Sequence, residues 1–220
     1  MNVNVDETVF VIDRVRHLTK STYVLRFSRN GMQFIPGQHL VLGLPGSSQF
    51  REYSIYSGLD DETLEVLIKE VDDGLVSRQL KTIEAGDAVE VRGPHGFFLT
   101  KAASRGSGKN LFLSTGTGIA PFHSFVKSYP GSDYRIIHGV KNIDEGYDSG
   151  DYEKERFTIC TSRDESGDYH GRLTDYLLEA DLDPDFQVYL CGNSNMIFDA
   201  MDILRARGIP QRQIHTEVYF

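Results

Sequence analysis

Arg51-Glu52-Tyr53-Ser54 puts a cation, an aromatic ring and a hydroxyl within four consecutive residues. In a strand the side chains alternate faces, so Arg51 and Tyr53 lean one way and Ser54 sits beside them on the backbone. A planar guanidinium suits a pyrophosphate, a phenol lies well against a flat ring, and a hydroxyl bonds a ring nitrogen. The set fits a flat, redox-active ring with a phosphate tail. The competing reading is a strand with one surface arginine and ordinary core tyrosines.

The most specific stretch is Ser114-Thr115-Gly116-Thr117-Gly118-Ile119-Ala120-Pro121-Phe122. It runs from a short apolar strand through a glycine turn into a helix. Pro121 falls in the first helical turn, where its missing N–H costs little. Amides at such a helix start suit a pyrophosphate. The third glycine of the usual dinucleotide pattern is absent, and a plain tight strand–helix turn is the alternative. A second turn, Cys191-Gly192-Asn193, also ends a strand and opens a helix, which would make Cys191 look into the crevice beyond the strand ends. Its rival reading is a small buried hydrophobe. Asp73-Gly74-Leu75-Val76-Ser77 offers a third close approach of backbone to phosphate, against a plain Asp-Gly turn with a serine cap. Lys141, Ser162-Arg163 and Arg172 follow the ends of successive strands. Cations at that edge suit a 2′-phosphate, whereas an acid there suits a free ribose hydroxyl. The first acid after Lys141 is Asp144. Together the three cations favour NADP over NAD, whereas singly each is better explained as a solvated surface charge.

Composition narrows the field. The 220 residues are 40% hydrophobic and 25% charged, ordinary proportions for a soluble chain of one large or two smaller domains. A net charge of −9 opposes general binding to nucleic acid or anionic membrane. No apolar run approaches the ~20 residues of a membrane span, and the polar, acidic start is unlike a secretory signal. Two cysteines, Cys160 and Cys191, are too few for a disulfide scaffold or a four-cysteine cluster. A cytoplasmic location is the expectation.

The elements that must position these residues change character near Thr100. Up to about residue 100, alternation at Tyr23–Phe27, Leu40–Leu44 and Leu64–Ile68, with a short run at Ala88–Arg92, predicts short strands. Turns at Asn30-Gly31, Pro36-Gly37 and Gly86-Asp87 punctuate them, which suggests an antiparallel barrel or sandwich. Small polar residues from Lys101 to Lys109 read as a linker. After it, strands at Leu111–Ser114, Tyr134–Gly139, Phe157–Thr161, Gln187–Cys191 and Ile214–Val218 alternate with helices. Ile119, Phe122 and Val126 share one helical face, and Ile197, Ala200, Met201 and Leu204 another. This order predicts a parallel sheet covered by helices. Domains are expected at 1–103 and 109–220. Asp144–Glu155 carries six carboxylates and reads as a solvated loop.

Taken together, Arg51-x-Tyr53-Ser54, Gly74-x-x-Ser77, Gly93-Pro94-x-Gly96, Gly116-Thr117-Gly118-Ile119-Ala120-Pro121, Cys191-Gly192 and Glu217-Val218-Tyr219 resemble the ferredoxin–NADP reductase family of flavoproteins. The resemblance covers nearly the whole chain. It implies FAD in an antiparallel β-barrel, NADP(H) on the parallel sheet, and hydride transfer between nicotinamide and flavin. By that resemblance Arg51 holds the FAD pyrophosphate, Tyr53 packs on the isoalloxazine, Ser54 bonds flavin N5, and Gly74 and Ser77 line the pyrophosphate. Thr117, Gly118 and Gly192 hold the NADP pyrophosphate, and Lys141, Ser162, Arg163 and Arg172 its 2′-phosphate end. Cys191 and Glu217 border the nicotinamide. Tyr219 covers the flavin, with Phe220 toward the adenine end. The implied function is electron exchange between NADPH and a separate carrier, ferredoxin or flavodoxin, docked by a basic face for which Arg14, Arg16, Arg26 and Arg29 are candidates. Alternatives are an NADH-dependent reductase component of an oxygenase and a flavin-binding electron-transfer subunit without a nicotinamide reaction.

Overall fold

The computed structural model describes residues 8–99 and 108–219. Six strands form the first half: β1 (Val9–His17), β2 (Thr22–Ser28), β3 (His39–Gly43), β4 (Arg51–Ser54), β5 (Thr63–Lys69) and β6 (Ala88–His95), with helix α1 (Leu75–Lys81) between β5 and β6. All pair antiparallel in the order β4-β3-β6-β1-β2-β5. The two ends of this order meet. Just past β4, Ile55 bridges Val66 of β5, and Tyr56 donates its N–H to Glu65 O at 2.7 Å. The sheet is therefore a barrel, which leaves no open strand edge. Its interior is the inward half of the alternation seen in the sequence, with Leu25, Phe27, Leu40, Leu42, Leu64 and Val66 fully buried.

The second half is built from β7 (Asn110–Thr115), α2 (Ala120–Ser128), β8 (Tyr134–Val140), β9 (Phe157–Thr161), β10 (Tyr169–His170), α3 (Leu173–Glu179), β11 (Gln187–Asn193), α4 (Ser194–Ala206) and β12 (Ile214–Tyr219). Its sheet is parallel throughout, in the order β10-β9-β8-β7-β11-β12. The chain starts in the middle at β7, builds outward through β8 and β9, then returns to the other side of β7 with β11. The strand order reverses between β7 and β11. Both faces are covered, as a near-continuous apolar strand requires. Leu111 and Leu113 pack beneath α3 and α4, while Phe112 packs beneath α2. The two-residue strand β10 has too little pattern to be read from sequence. The expected linker falls mostly in residues outside those described.

The halves share a core. Val24, Tyr56, Leu67 and Leu99 of the first lie in one apolar cluster with Phe112, Phe122, Phe125 and Tyr189 of the second. Burying one such phenylalanine contributes about 2–3 kcal/mol. Helix α2 is the wedge between them, buried from Ala120 to Val126. Its polar residues satisfy barrel backbone: His123 Nδ1 bonds Tyr56 O at 2.6 Å, Ser124 Oγ donates to Ser57 O at 2.7 Å, and Leu59 N–H donates to Ser128 Oγ at 3.0 Å. The Tyr56 and His123 rings stack at 3.8 Å.

The acidic stretch after β8 corrects the expectation of a solvated loop. Tyr147 and Tyr152 are buried in the shared cluster. Asp148 takes two hydrogen bonds from Arg16 of β1, at 2.6 and 2.8 Å, and a third from Tyr56 OH at 2.9 Å. Asp151 meets His123 Nε2 at 2.9 Å, and Thr22 Oγ1 lies 3.0 Å from Tyr147 OH. Here Asp148 and Tyr147 fasten the stretch to the barrel, and Asp151 fastens it to α2. Among the described residues, no helix is long and apolar enough to cross a membrane.

Candidate functional site

Parallel pairing carries β11 and β12 side by side up to Asn193 and Tyr219. That extension delivers Cys191, Glu217 and Tyr219 to the carboxyl end of the sheet, facing the barrel. Cys191 and Glu217 are register partners, and Cys191 also pairs with Ser114 of β7. Tyr219 reaches across to the barrel, where its hydroxyl donates to Ser54 Oγ at 2.5 Å. Ser54, at the end of β4, is buried. Four of the expected residues, from opposite ends of the chain, thus form one cluster between the halves.

Burial governs the chemistry of this cluster. It pushes the Glu217 carboxyl up to about 7, with the nearby charge of Glu52 acting in the same direction. Glu217 Oε2 is buried without a hydrogen-bond partner. Burial also raises Cys191 well above the ordinary thiol range, helped by Glu217 and opposed by a bond with Tyr219. The thiol is held neutral and is not a nucleophile. The folded protein holds the Glu217 proton more tightly than the unfolded chain, whose carboxyl titrates near 4.5. Its contribution is thus fully present below about 4.5 and is lost as pH rises through about 7. We expect Glu217→Gln to flatten the fall in Tm between pH 5 and pH 8. Equal slopes in the two proteins would remove Glu217 as the titrating group.

The turns at the strand-order reversal are interlocked. A side-chain carbon on Gly118 would stand 2.3 Å from Cys191 O, and one on Gly192, whose φ is +129°, 2.5 Å from Thr115 Oγ1. Only glycine lets the two backbones approach this closely. Asn193 N–H then donates to Thr115 Oγ1 at 3.1 Å, and Asn193 caps α4 by accepting from Asn195 N–H at 3.0 Å. Gly118 is therefore a buried packing glycine, not part of the cleft wall. The wall itself is made by Gly116 and Thr117.

A cavity of about 800 Å³ opens from these turns. It brings together Thr117, Lys141, Ser162, Arg163, Arg172, Gly192 and Tyr219, all of them expected. Ser162 and Arg163 are placed by backbone bonds to Val140 O (3.1 Å) and Lys141 O (2.9 Å). Asp175 fixes the start of α3 by accepting from Arg172 N–H at 3.0 Å. Lys69 and Glu145, which the sequence pattern did not single out, also line the cavity.

Two expected groups lie apart from it. Arg51 and Tyr53 sit on β4 opposite Leu42 and Leu40. Arg51 is exposed and bonds Phe50 O at 2.8 Å; Tyr53 is half-buried, and burial raises its phenol to about 12, against the opposing charge of Arg51. The Gly74 turn borders a separate cavity on the flank of α1. The Ser77 hydroxyl there works inside its own turn, accepting from Val71 N–H at 3.2 Å and donating to Gly74 O at 3.4 Å. Phe220 lies outside the described residues. Of the four arginines expected to form a docking face, three are engaged within the barrel or with the sheet. Arg16 pairs with Asp148, Arg26 with Asp13 at 2.6 Å, and Arg29 donates to Met32 O at 2.6 Å.

Open parallel sheets bind nucleotides where the strand order reverses, and here that point faces a barrel. A molecule built this way presents a group held on the barrel to a nucleotide held on the sheet, which is the architecture of a dinucleotide-dependent oxidoreductase. Comparisons with known proteins agree. Residues 10–99 match the oxidoreductase FAD-binding domain family, and residues 112–202 match the oxidoreductase NAD-binding domain family. The toluate 1,2-dioxygenase electron transfer component of Pseudomonas putida is 29% identical, over 94% of this chain and 66% of that protein. The ferredoxin–NADP reductase of Azotobacter vinelandii is also 29% identical, over 94% of this chain and 91% of that protein. The crystal structure of a ferredoxin NADP+ reductase from Neisseria gonorrhoeae with bound FAD and NADP superposes with a TM-score of 0.83 at 25% identity, covering 97% of this chain and 98% of that one. The chain thus spans nearly all of these reductases but just under two thirds of the dioxygenase component. It belongs to the ferredoxin–NADP reductase family of flavoproteins.

The residues present fit the two cofactors of that family. The glycine turns form a cradle of backbone at the sheet's reversal point, cations line the cavity, and Glu217 offers an unpartnered buried oxygen beside Cys191, its register partner.

Proposed function

We propose that the protein passes electrons between NADPH and a one-electron carrier, ferredoxin or flavodoxin, by way of FAD. The observation that carries this reading is the meeting of Ser54, Cys191, Glu217 and Tyr219 between barrel and sheet, beside a cavity edged by Lys141, Arg163 and Arg172. Bound FAD would supply the exchange between a two-electron hydride donor and a one-electron carrier, which is the cofactor's own chemistry. The protein positions and insulates. Arg51 and the backbone around Gly74 hold the FAD phosphates, and Tyr53 supports its ring. Ser54 supplies a hydrogen bond at the ring edge, and Glu217, titrating near neutrality, exchanges a proton there with solvent. Cys191, kept neutral, packs against the nicotinamide without reacting with it. Tyr219 occupies the place beside Ser54 and excludes water until nicotinamide displaces it. Gly116, Thr117 and Gly192 cradle the nicotinamide nucleotide's pyrophosphate. We place the division between the units at 103–109 and the protein in the cytoplasm.

A purified protein of this kind is yellow, and anaerobic NADPH bleaches the flavin bands. We expect kcat/KM for NADPH to exceed that for NADH by about tenfold or more, the worth of one well-placed cation pair with a 2′-phosphate. Arg163→Ala is expected to lower the NADPH value and leave the NADH value nearly unchanged. Equal efficiencies in the wild type would defeat the assignment of NADP. One observation favours the second reading, an NADH-dependent reductase component: Glu145 lines the same cavity after β8.

A further inference from the structure

Of the described residues lining the nucleotide cavity, Lys69 alone comes from the barrel; every other one lies between Thr115 and Tyr219. Lys69 ends β5, and its Nζ lies 3.2 Å from Glu145 Oε2. Glu145 belongs to the short turn Ile143–Glu145 beyond β8, and its side chain is only 13% exposed. A carboxylate past the second strand of a dinucleotide fold bonds a free ribose hydroxyl and repels a 2′-phosphate. Here that carboxylate is met by a lysine from across the cleft.

We propose that Lys69 is a specificity-determining residue: by neutralising Glu145 from the barrel side, it makes the cavity compatible with a nucleotide bearing a 2′-phosphate. The proposal rests on the nicotinamide-nucleotide reading given above. Its physical basis is that the pair does not hold the loop in place. Thr22, the register partner of Lys69, has its Oγ1 3.0 Å from Tyr147 OH, two residues beyond Glu145. Asp148 is fastened to Arg16 one residue further on. The loop is docked by these bonds, so removing the lysine charge leaves Glu145 in position with its charge exposed to the cavity. A like charge beside a phosphate in a partly desolvated site opposes binding strongly. Nucleotide selection then depends on both halves of the molecule, although the phosphate cradle is in one.

The test uses the full-length, FAD-loaded protein and calorimetric titration with NADP+, NAD+ and 2′-phospho-AMP, with no turnover. Lys69→Met should weaken NADP+ and 2′-phospho-AMP about tenfold while moving NAD+ by less than about threefold. Glu145→Gln should tighten NADP+ relative to NAD+, and Lys69→Met combined with Glu145→Gln should bring both back close to wild type. Lys69→Arg should behave as wild type. Thermal melts of the same samples establish that the variants are folded, and Glu145→Gln carries the test alone should Lys69→Met fail to fold. Equal weakening of NADP+ and NAD+ by Lys69→Met, or no rescue in the double variant, would overturn the inference. A wild-type protein that binds none of these nucleotides would instead refute the functional reading beneath it.

Discussion

Gly118→Ala is expected to abolish measurable nucleotide binding, raising the NADP+ Kd by about 100-fold or more, and to lower Tm by about 5–10 °C. The added carbon would stand 2.3 Å from Cys191 O, 2.6 Å from Cys191 C and 2.8 Å from Gly192 Cα. All three are backbone atoms, so no side-chain rotation relieves the clash. The turns after β7 and β11 must part, and both turns line the cavity proposed above to take the nucleotide. Overpacking of this kind costs about 1–3 kcal/mol, and in a chain of this size each kcal/mol lowers Tm by about 2–4 °C. Gly116→Ala is the contrast. Its φ is +53°, so a side chain there is strained, but the new carbon meets nothing within 4 Å. A left-handed alanine costs about 1–2 kcal/mol, and its effect on binding should be several-fold smaller. Calorimetric titration and thermal melts of both variants make the comparison. Equal effects from the two would show that conformation, and not the contact between turns, is what glycine provides at 118.

Asp148→Ala is expected to destabilise the protein by about 2–3 kcal/mol, somewhat less than breaking a fully buried pair costs, because these side chains are partly exposed. It leaves the Arg16 guanidinium without its two-point partner and the Tyr56 hydroxyl without its acceptor. The apolar cluster beneath should keep the halves together, so the protein stays folded while their mutual placement loosens. Transfer between rings held by different halves is sensitive to displacements of about 1 Å, and we expect kcat to drop about tenfold. Burial pushes the Asp148 carboxyl up, but the bonds from Arg16 and Tyr56 and the Arg16 charge outweigh it and hold the group below its ordinary value. Its stabilisation is therefore present above the ordinary carboxyl range and disappears as pH falls through the lower folded value. Denaturant melts at pH 7 and pH 3 should show the wild type losing stability and the variant losing less. A variant as stable as wild type at pH 7 would mean that the Arg16 pair is ornamental.

Much of this was legible in the sequence because it is local. Strand alternation, the glycine turns and Pro121 each encode their own backbone, and those elements appear where the pattern puts them. Ser54, Glu217 and Tyr219 were legible through the motifs in which they sit. What the sequence hides is pairing at long range. Lys69 and Glu145 are 76 residues apart, and Arg16 and Asp148 are 132 apart. Neither pair has any periodicity to betray it. The stretch after β8 is the instructive case. A run of carboxylates averages to a solvated loop, yet Tyr147 and Tyr152 sit inside it, and two aromatics among acids are the signal that this segment, though mostly exposed, is anchored in the core at two points. Gly118 carries a similar lesson. Glycine in a phosphate-turn pattern suggests contact with the ligand, whereas here it answers to a neighbouring strand that is distant in the sequence.

The wedge made by α2 bears on how this protein can be re-engineered. Its apolar side fills the sheet, and its histidine and serines fit carbonyls and an amide found at Tyr56–Leu59. A chimera that grafts another flavoprotein's sheet onto this barrel inherits a seam cut for a different key. Recombination between relatives should succeed only when the crossover carries 56–59, 120–128 and 144–151 as a single inherited block.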